Sequence, residues 1–80
     1  MREIDYEIRW AKENDFSVRA IMTDNGEYVM RGLGSGSTEE EAKINSLKWV
    51  FRNLYSADKI SLEEMQATLE EIDENYVQSK

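Results

Sequence analysis

The sequence predicts an α+β domain: a three-stranded antiparallel meander followed by two helices packed on one face of the sheet, in the order β-β-β-α-α. Three observations carry this. Residues 4–10 and 16–22 alternate apolar and polar side chains with a period of two, the mark of half-buried strands. Asn25-Gly26 separates the second stretch from a third, and this pair favours a tight hairpin because both positions accept positive φ. Past residue 37 the apolar spacing lengthens to a helical one, twice, each time behind a Ser or Thr with a Glu three residues later. Eighty residues allow one domain, 1–80, with one core.

The sheet is expected over residues 4–33. In the first strand, IDYEIRW, Ile4, Tyr6, Ile8 and Trp10 share one face, and Asp5, Glu7 and Arg9 the other. KENDF turns the chain. FSVRAIM then points Phe16, Val18, Ala20 and Met22 inward, and EYVMRGL (27–33) returns behind the hairpin. No proline interrupts a strand. The run from Gly32 to Gly36 is expected to turn the chain from sheet into helix.

The first helix is expected over 38–56. Thr38 with Glu41, or Ser37 with Glu40, makes a capping box, and Glu39 to Glu41 suit the positive end of the helix dipole. Ala42, Ser46, Leu47, Val50, Phe51 and Leu54 form one broad face, bordered by Ile44 and Tyr55 on one side and Trp49 on the other. The second helix is expected over 62–76. Ser61 caps it, Glu64 completes the box, and Ile60 and Met65 occupy the positions of a hydrophobic staple. Leu62, Met65, Leu69, Ile72 and Tyr76 share one face, glutamates crowd the other, and the terminal VQSK should fray.

Composition narrows the chemistry. There is no Cys, so neither a disulfide nor a thiolate metal site, and a reducing, cytoplasmic setting is expected. There is no His, which removes the commonest general base and metal ligand. No apolar run approaches the ~18 residues of a membrane span, and Met1-Arg-Glu does not open a signal peptide. Net charge is −7, unevenly placed: residues 60–80 hold six acids and one base, residues 1–59 eleven acids and nine bases. Such a balance repels nucleic acid and anionic membranes and attracts basic protein surfaces.

The middle of the chain resembles a known family. Hairpin-linked strands lead into Gly34-x-Gly36-x-Thr38, then Ala42-Lys43, Ser46-Leu47, Val50-Phe51 and Leu54. This is similar to the second half of a double-stranded RNA-binding domain, which reads roughly G-x-G-x-S-K-K-x-A-K-x-x-A-A-x-x-A-L as it enters its last helix. The resemblance covers about residues 4–56 and implies three strands backed by a helix. It also implies a lysine pair gripping phosphates across the RNA groove, but those positions hold Glu39 and Glu40. Lys43 alone keeps the basic character, and residues 1–3 cannot supply the family's N-terminal helix. Two anions in place of two cations reverse the term that dominates nucleic-acid affinity.

No motif points to catalysis. The glycine run lacks the GK[ST] of a phosphate loop and the spacing and βαβ setting of a dinucleotide fingerprint. Glu63/Glu64 and Glu70/Glu71 are adjacent on a helix and diverge, and no calcium-loop spacing is present. No cofactor or metal is expected, and the chain is not expected to be an enzyme.

Surface recognition remains. The acidic face of the second helix (Glu63, Glu64, Glu70, Glu71, Asp73, Glu74), joined by Glu39 and Glu40, is the expected partner-binding surface, with Trp10 and Trp49 as aromatic anchors and Tyr28, Tyr55 and Tyr76 as further candidates. Arranged carboxylates can imitate a phosphate array. The first reading is therefore a small acidic protein-binding module that docks on a basic surface of a nucleic-acid-handling protein, as an inhibitor or nucleic-acid mimic of the phage anti-defence (anti-CRISPR) type would. A second is an RNA-binding-like domain that still holds nucleic acid through Lys43, Lys48 and Arg52. A third is a self-associating subunit, a homodimer formed through a free sheet edge or the Trp-bearing surface.

Overall fold

A computed structural model describes the backbone of residues 1–78 and the side chains of residues 1–75. Strands β1 (Arg2–Lys12), β2 (Asp15–Asp24) and β3 (Glu27–Gly36) form one antiparallel sheet in the order β1-β2-β3, and helices α1 (Glu39–Ser56) and α2 (Leu62–Gln78) follow. This is the α+β arrangement that the alternation and capping signals predict. Asn25 and Gly26 hold φ of 53° and 85°, both positive as the hairpin turn between β2 and β3 requires, and Asn14 takes φ 56° in the turn before β2.

The core lies between the sheet and α1. Val18, Ala20 and Met22 of β2 point at α1 and are buried, as are Ala42, Ser46, Val50 and Leu54 of the helix. Ile4, Val29, Met30, Phe51 and Ile60 close around Ala20, Met22, Val50 and Leu54.

The glycine run is strand. Gly32, Gly34 and Gly36 stand opposite Ala20, Val18 and Phe16 in the ladder, so the expected sheet-to-helix turn is displaced to Ser37 and Thr38. The cause is proximity rather than flexibility. A Cβ on Gly34 would meet backbone atoms of α1, the Asn45 carbonyl carbon at 2.5 Å and the Ala42 carbonyl oxygen at 2.7 Å. One on Gly32 would meet the Trp49 carbonyl carbon at 2.8 Å. With Ala42 and Ser46 opposite, β3 and α1 touch backbone to backbone. Asn45 and Asn53 extend this contact by donating 2.8 Å hydrogen bonds to the Ser35 and Arg31 carbonyls of β3.

A bulge at Arg9 corrects the expected face of Trp10. Ile4, Tyr6 and Ile8 pair with Met22, Ala20 and Val18, but beyond the bulge Trp10 pairs with Ser17. One extra residue reverses the alternation, so Trp10 lies on the outer face of the sheet with Ser17. A second irregularity, at Val29, likewise sets Tyr28 opposite Thr23 on the outer face.

Both N-cap hydroxyls accept as expected, whereas among the described residues the reciprocal half of neither box forms at the cap N–H, Glu41 accepting from Ser37 instead. Thr38 Oγ1 accepts from the Glu41 N–H at 3.1 Å, and Ser61 Oγ from the Glu64 N–H at 3.1 Å. α1 ends with Asp58 at φ 59° and the Lys59 N–H on the Leu54 carbonyl at 2.9 Å, a left-handed cap normally given to glycine. α2 leans on α1. Met65, Thr68, Leu69 and Ile72 are half-buried there, whereas Leu62, expected on the same face, is 45% exposed. The helix runs two residues past its expected end, to Gln78; the side chains of residues 76–78, and Ser79 and Lys80, lie outside the described residues.

Gly34→Ala should cost about 2 kcal/mol or more in urea unfolding, because a helix backbone must move to admit the methyl. Gly36→Ala should cost less, about 1 kcal/mol, because the nearest atoms its methyl meets belong to the Glu41 side chain: Cγ and Oε1 can rotate away at the expense of the Ser37 contact, and only Cβ at 2.8 Å is tied to the helix backbone. Equal costs would contradict the backbone contact.

Candidate functional site

The candidate acidic residues divide by task. Glu41 accepts from Ser37 and completes the α1 cap. Glu39 pairs with Lys43 at 3.7 Å, one turn on. Glu40 stands at a groove of about 340 Å³ lined also by Tyr6, Lys43, Ile44, Leu47, Ile72 and Asn75. The groove exists because α1 sits over β2 and β3, leaving the inner side of β1 partly uncovered: Tyr6 is 39% and Ile8 50% exposed. Burial of the Tyr6 ring pushes its phenol above the ordinary value, and the Lys43 ammonium lies 5.7 Å from the ring centroid.

On α2, Asp73 forms an ion pair with Lys48 of α1; the lysine side chain is only 19% exposed, the aspartate 58%. Glu63, Glu64, Glu70, Glu71 and Glu74 are exposed, and none has a cationic partner among the described residues. Glu63, Glu70 and Glu74 follow i, i+7, i+11 spacing and form one stripe opposite the α1 contact, with Glu64 and Glu71 flanking it. Among the described residues, no donor hydrogen-bonds to these carboxylates.

The cations named for nucleic acid are engaged elsewhere. Lys43 is held by Glu39, Lys48 by Asp73, and the Arg52 guanidinium lies 4.9 Å from the Trp49 ring centroid. Beside them the two tryptophans come together. Trp10 (42% exposed) and Trp49 (46% exposed) line one shallow basin of about 330 Å³, with Ser17, Leu33, Ser35 and Asn45. Arg9 covers Trp10 at 5.3 Å, as Arg52 covers Trp49. Tyr28 and Tyr55 are exposed but line neither hollow.

Leu33, Ser35 and Asn45 escape a sequence reading because the basin crosses the edge of β3, and only the Arg9 bulge brings Trp10 to that side. Asn45 and Asn53, eight residues apart on one helical face, are the signal that could have placed this edge against α1.

Among the described residues, no three of Asp and Glu converge as metal ligands, and no helix is long and apolar enough to cross a membrane. No family model matches the chain, and neither a curated protein nor a solved structure matches it.

Asp73 and its glutamate neighbours should separate in a double-mutant cycle. Lys48→Met with Asp73→Asn should show a coupling of about 0.5–1 kcal/mol, discounted for the exposed carboxylate, and Lys48→Met with Glu70→Gln none beyond error. Equal coupling in both cycles would contradict the division of the acidic face.

Proposed function

We propose that the chain is a non-enzymatic binding module that docks through its acidic α2 face on a basic surface of another protein. One observation carries this reading: the cations that would grip nucleic acid are engaged within the molecule, while five α2 glutamates face solvent without a partner among the described residues. Glu63 to Glu74 spans about 16 Å of helix axis at ~1.5 Å per residue. Five charges over that length amount to about half the linear charge density of duplex nucleic acid. A basic groove built for phosphates would meet a rigid, partial imitation of its ligand, which fits an inhibitor or nucleic-acid mimic of the phage anti-defence type. The helix is held by the Ser61 cap and by packing on α1, so its charges are presented without a folding cost on binding.

The test is capture of partners from lysate, identified by mass spectrometry, with the native chain and with Glu70, Glu71 and Glu74 all changed to Lys. Basic partners should be retained by the native chain, weaken as salt rises, and be lost from the reversed one. Retention of every partner after reversal would overturn the reading. So would direct binding of the native chain to duplex RNA that falls steeply with salt.

A further inference from the structure

We propose that the outer face of the sheet is where two copies of this chain meet, related by a two-fold axis that runs along the strands. Both helices pack on the other side, so this face is largely uncovered by its own chain; only at the Trp10 end, where Ser17 is buried, does it run into the basin shared with Trp49 and Asn45 of α1. Its rows can be read off the register. Glu3, Asp5, Glu7 and, past the bulge, Trp10 come from β1; Thr23, Ile21, Arg19 and Ser17 stand opposite them on β2; Tyr28, Arg31, Leu33 and Ser35 continue the rows on β3. Tyr28, Leu33 and Trp10 are 60%, 46% and 42% exposed, three apolar side chains set among the charged and small residues of these rows.

The occupant follows from the charges. The acids of the paired rows all stand on β1 and their arginines on β2 and β3; the one β1 cation beside them, the bulged Arg9, lies over the Trp10 ring. Lys12 and Asp15 oppose each other at the hairpin end. A half-turn about an axis parallel to the strands keeps each row at its level and reverses its order. The row Asp5–Ile21–Arg31 then faces itself as Arg31–Ile21–Asp5, so the two-fold makes two Asp5–Arg31 pairs around an Ile21–Ile21 contact. In the same way Trp10 faces the small Ser35, and Glu3 faces Tyr28. Arg19 meets its own copy, each already held by Glu7 at 3.6 Å. An axis across the strands would instead set the acidic β1 rows against each other. The contact is isologous and self-limiting, as a closed dimer requires.

Size fixes the expected strength. Three strands ~4.8 Å apart and about ten residues long offer about 500 Å² per copy, or about 1,000 Å² in all. That is the low end for a specific interface, so the dimer should be weak and concentration-dependent. Sheets packed this way lie ~10 Å apart with strands inclined by ~30°. The helices stay on the outside, so the dimer carries two acidic faces. The proposal is independent of what those faces bind.

The test is sedimentation equilibrium on the whole chain at about 0.15 M salt, where exposed charges beyond ~8 Å are screened. The native chain should show a monomer–dimer equilibrium with Kd between about 1 and 100 µM. Asp5→Arg and Arg31→Glu, each folded by circular dichroism, should each raise Kd at least about tenfold by facing like charges across the axis. The double variant carrying both changes should return to near the native Kd. Changing Glu70, Glu71 and Glu74 to Lys, on the opposite side of the molecule, should leave Kd unaltered. A native chain that stays monomeric to about 1 mM, a dimer indifferent to either single change, or a double variant no tighter than the singles would overturn the proposal.

Discussion

Everything in this molecule is arranged around one close approach, the backbone of β3 lying directly on the backbone of α1. Gly32 and Gly34 on the strand, with Ala42 and Ser46 on the helix, remove the side chains that would hold the two apart. The helix is drawn to the β3 side of the sheet as a result. There Asn45 and Asn53 reach the outward carbonyls of Ser35 and Arg31, so the helix that packs the core also blunts the β3 edge against further strand pairing. The opposite side pays for this: β1 keeps Tyr6 and Ile8 partly exposed, and α2 leans mainly on α1.

The same asymmetry sorts the charges. Lys43 and Lys48 sit on the flanks of α1, within reach of Glu39 one turn back and of Asp73 on α2. Arg9 and Arg52 lie over indole rings. Once these cations are engaged, the excess of carboxylates is left at the solvent side of α2 and along β1. A net charge of −7 thus becomes two separate acidic features on different sides of the sheet. One belongs to the proposed docking of a basic partner and the other to the proposed pairing of two copies.

Much of the fold was legible in the residues. The period of two in β1 and β2, the Asn25-Gly26 turn and both caps are local signals, each set by neighbours within four residues or by the two strands of one hairpin. What escaped depends on distant partners. The glycine run reads locally as a turn, and only the helix ten residues later makes it a strand that must be bare. Trp10 reads as inward because alternation carries no mark of a bulge. Leu62 reads as packed because the helical spacing is right, but at the first position of α2 it stays 45% exposed. The candidate site was legible as a set of acidic residues and two tryptophans. Its division into Glu41 for the cap, Glu39 and Asp73 for ion pairs, and outward glutamates for a partner was not, because it depends on which cations tertiary packing brings near. The resemblance to an RNA-binding domain rests on Gly34, Gly36 and Thr38, Ala42-Lys43, Ser46-Leu47, Val50-Phe51 and Leu54, and of these Gly34, Ala42 and Ser46 serve in this chain the packing of strand on helix, which by itself says nothing about RNA.

The most direct measurement of the central contact is a proton nuclear Overhauser spectrum of the labelled chain. If β3 lies backbone to backbone on α1, strong cross-peaks should join the Gly34 Hα to the Ser46 amide and the Gly32 Hα to the Val50 amide, with extended-strand chemical shifts from Gly32 through Gly36. Missing cross-peaks, with turn-like shifts across the glycine run, would contradict the account at its base.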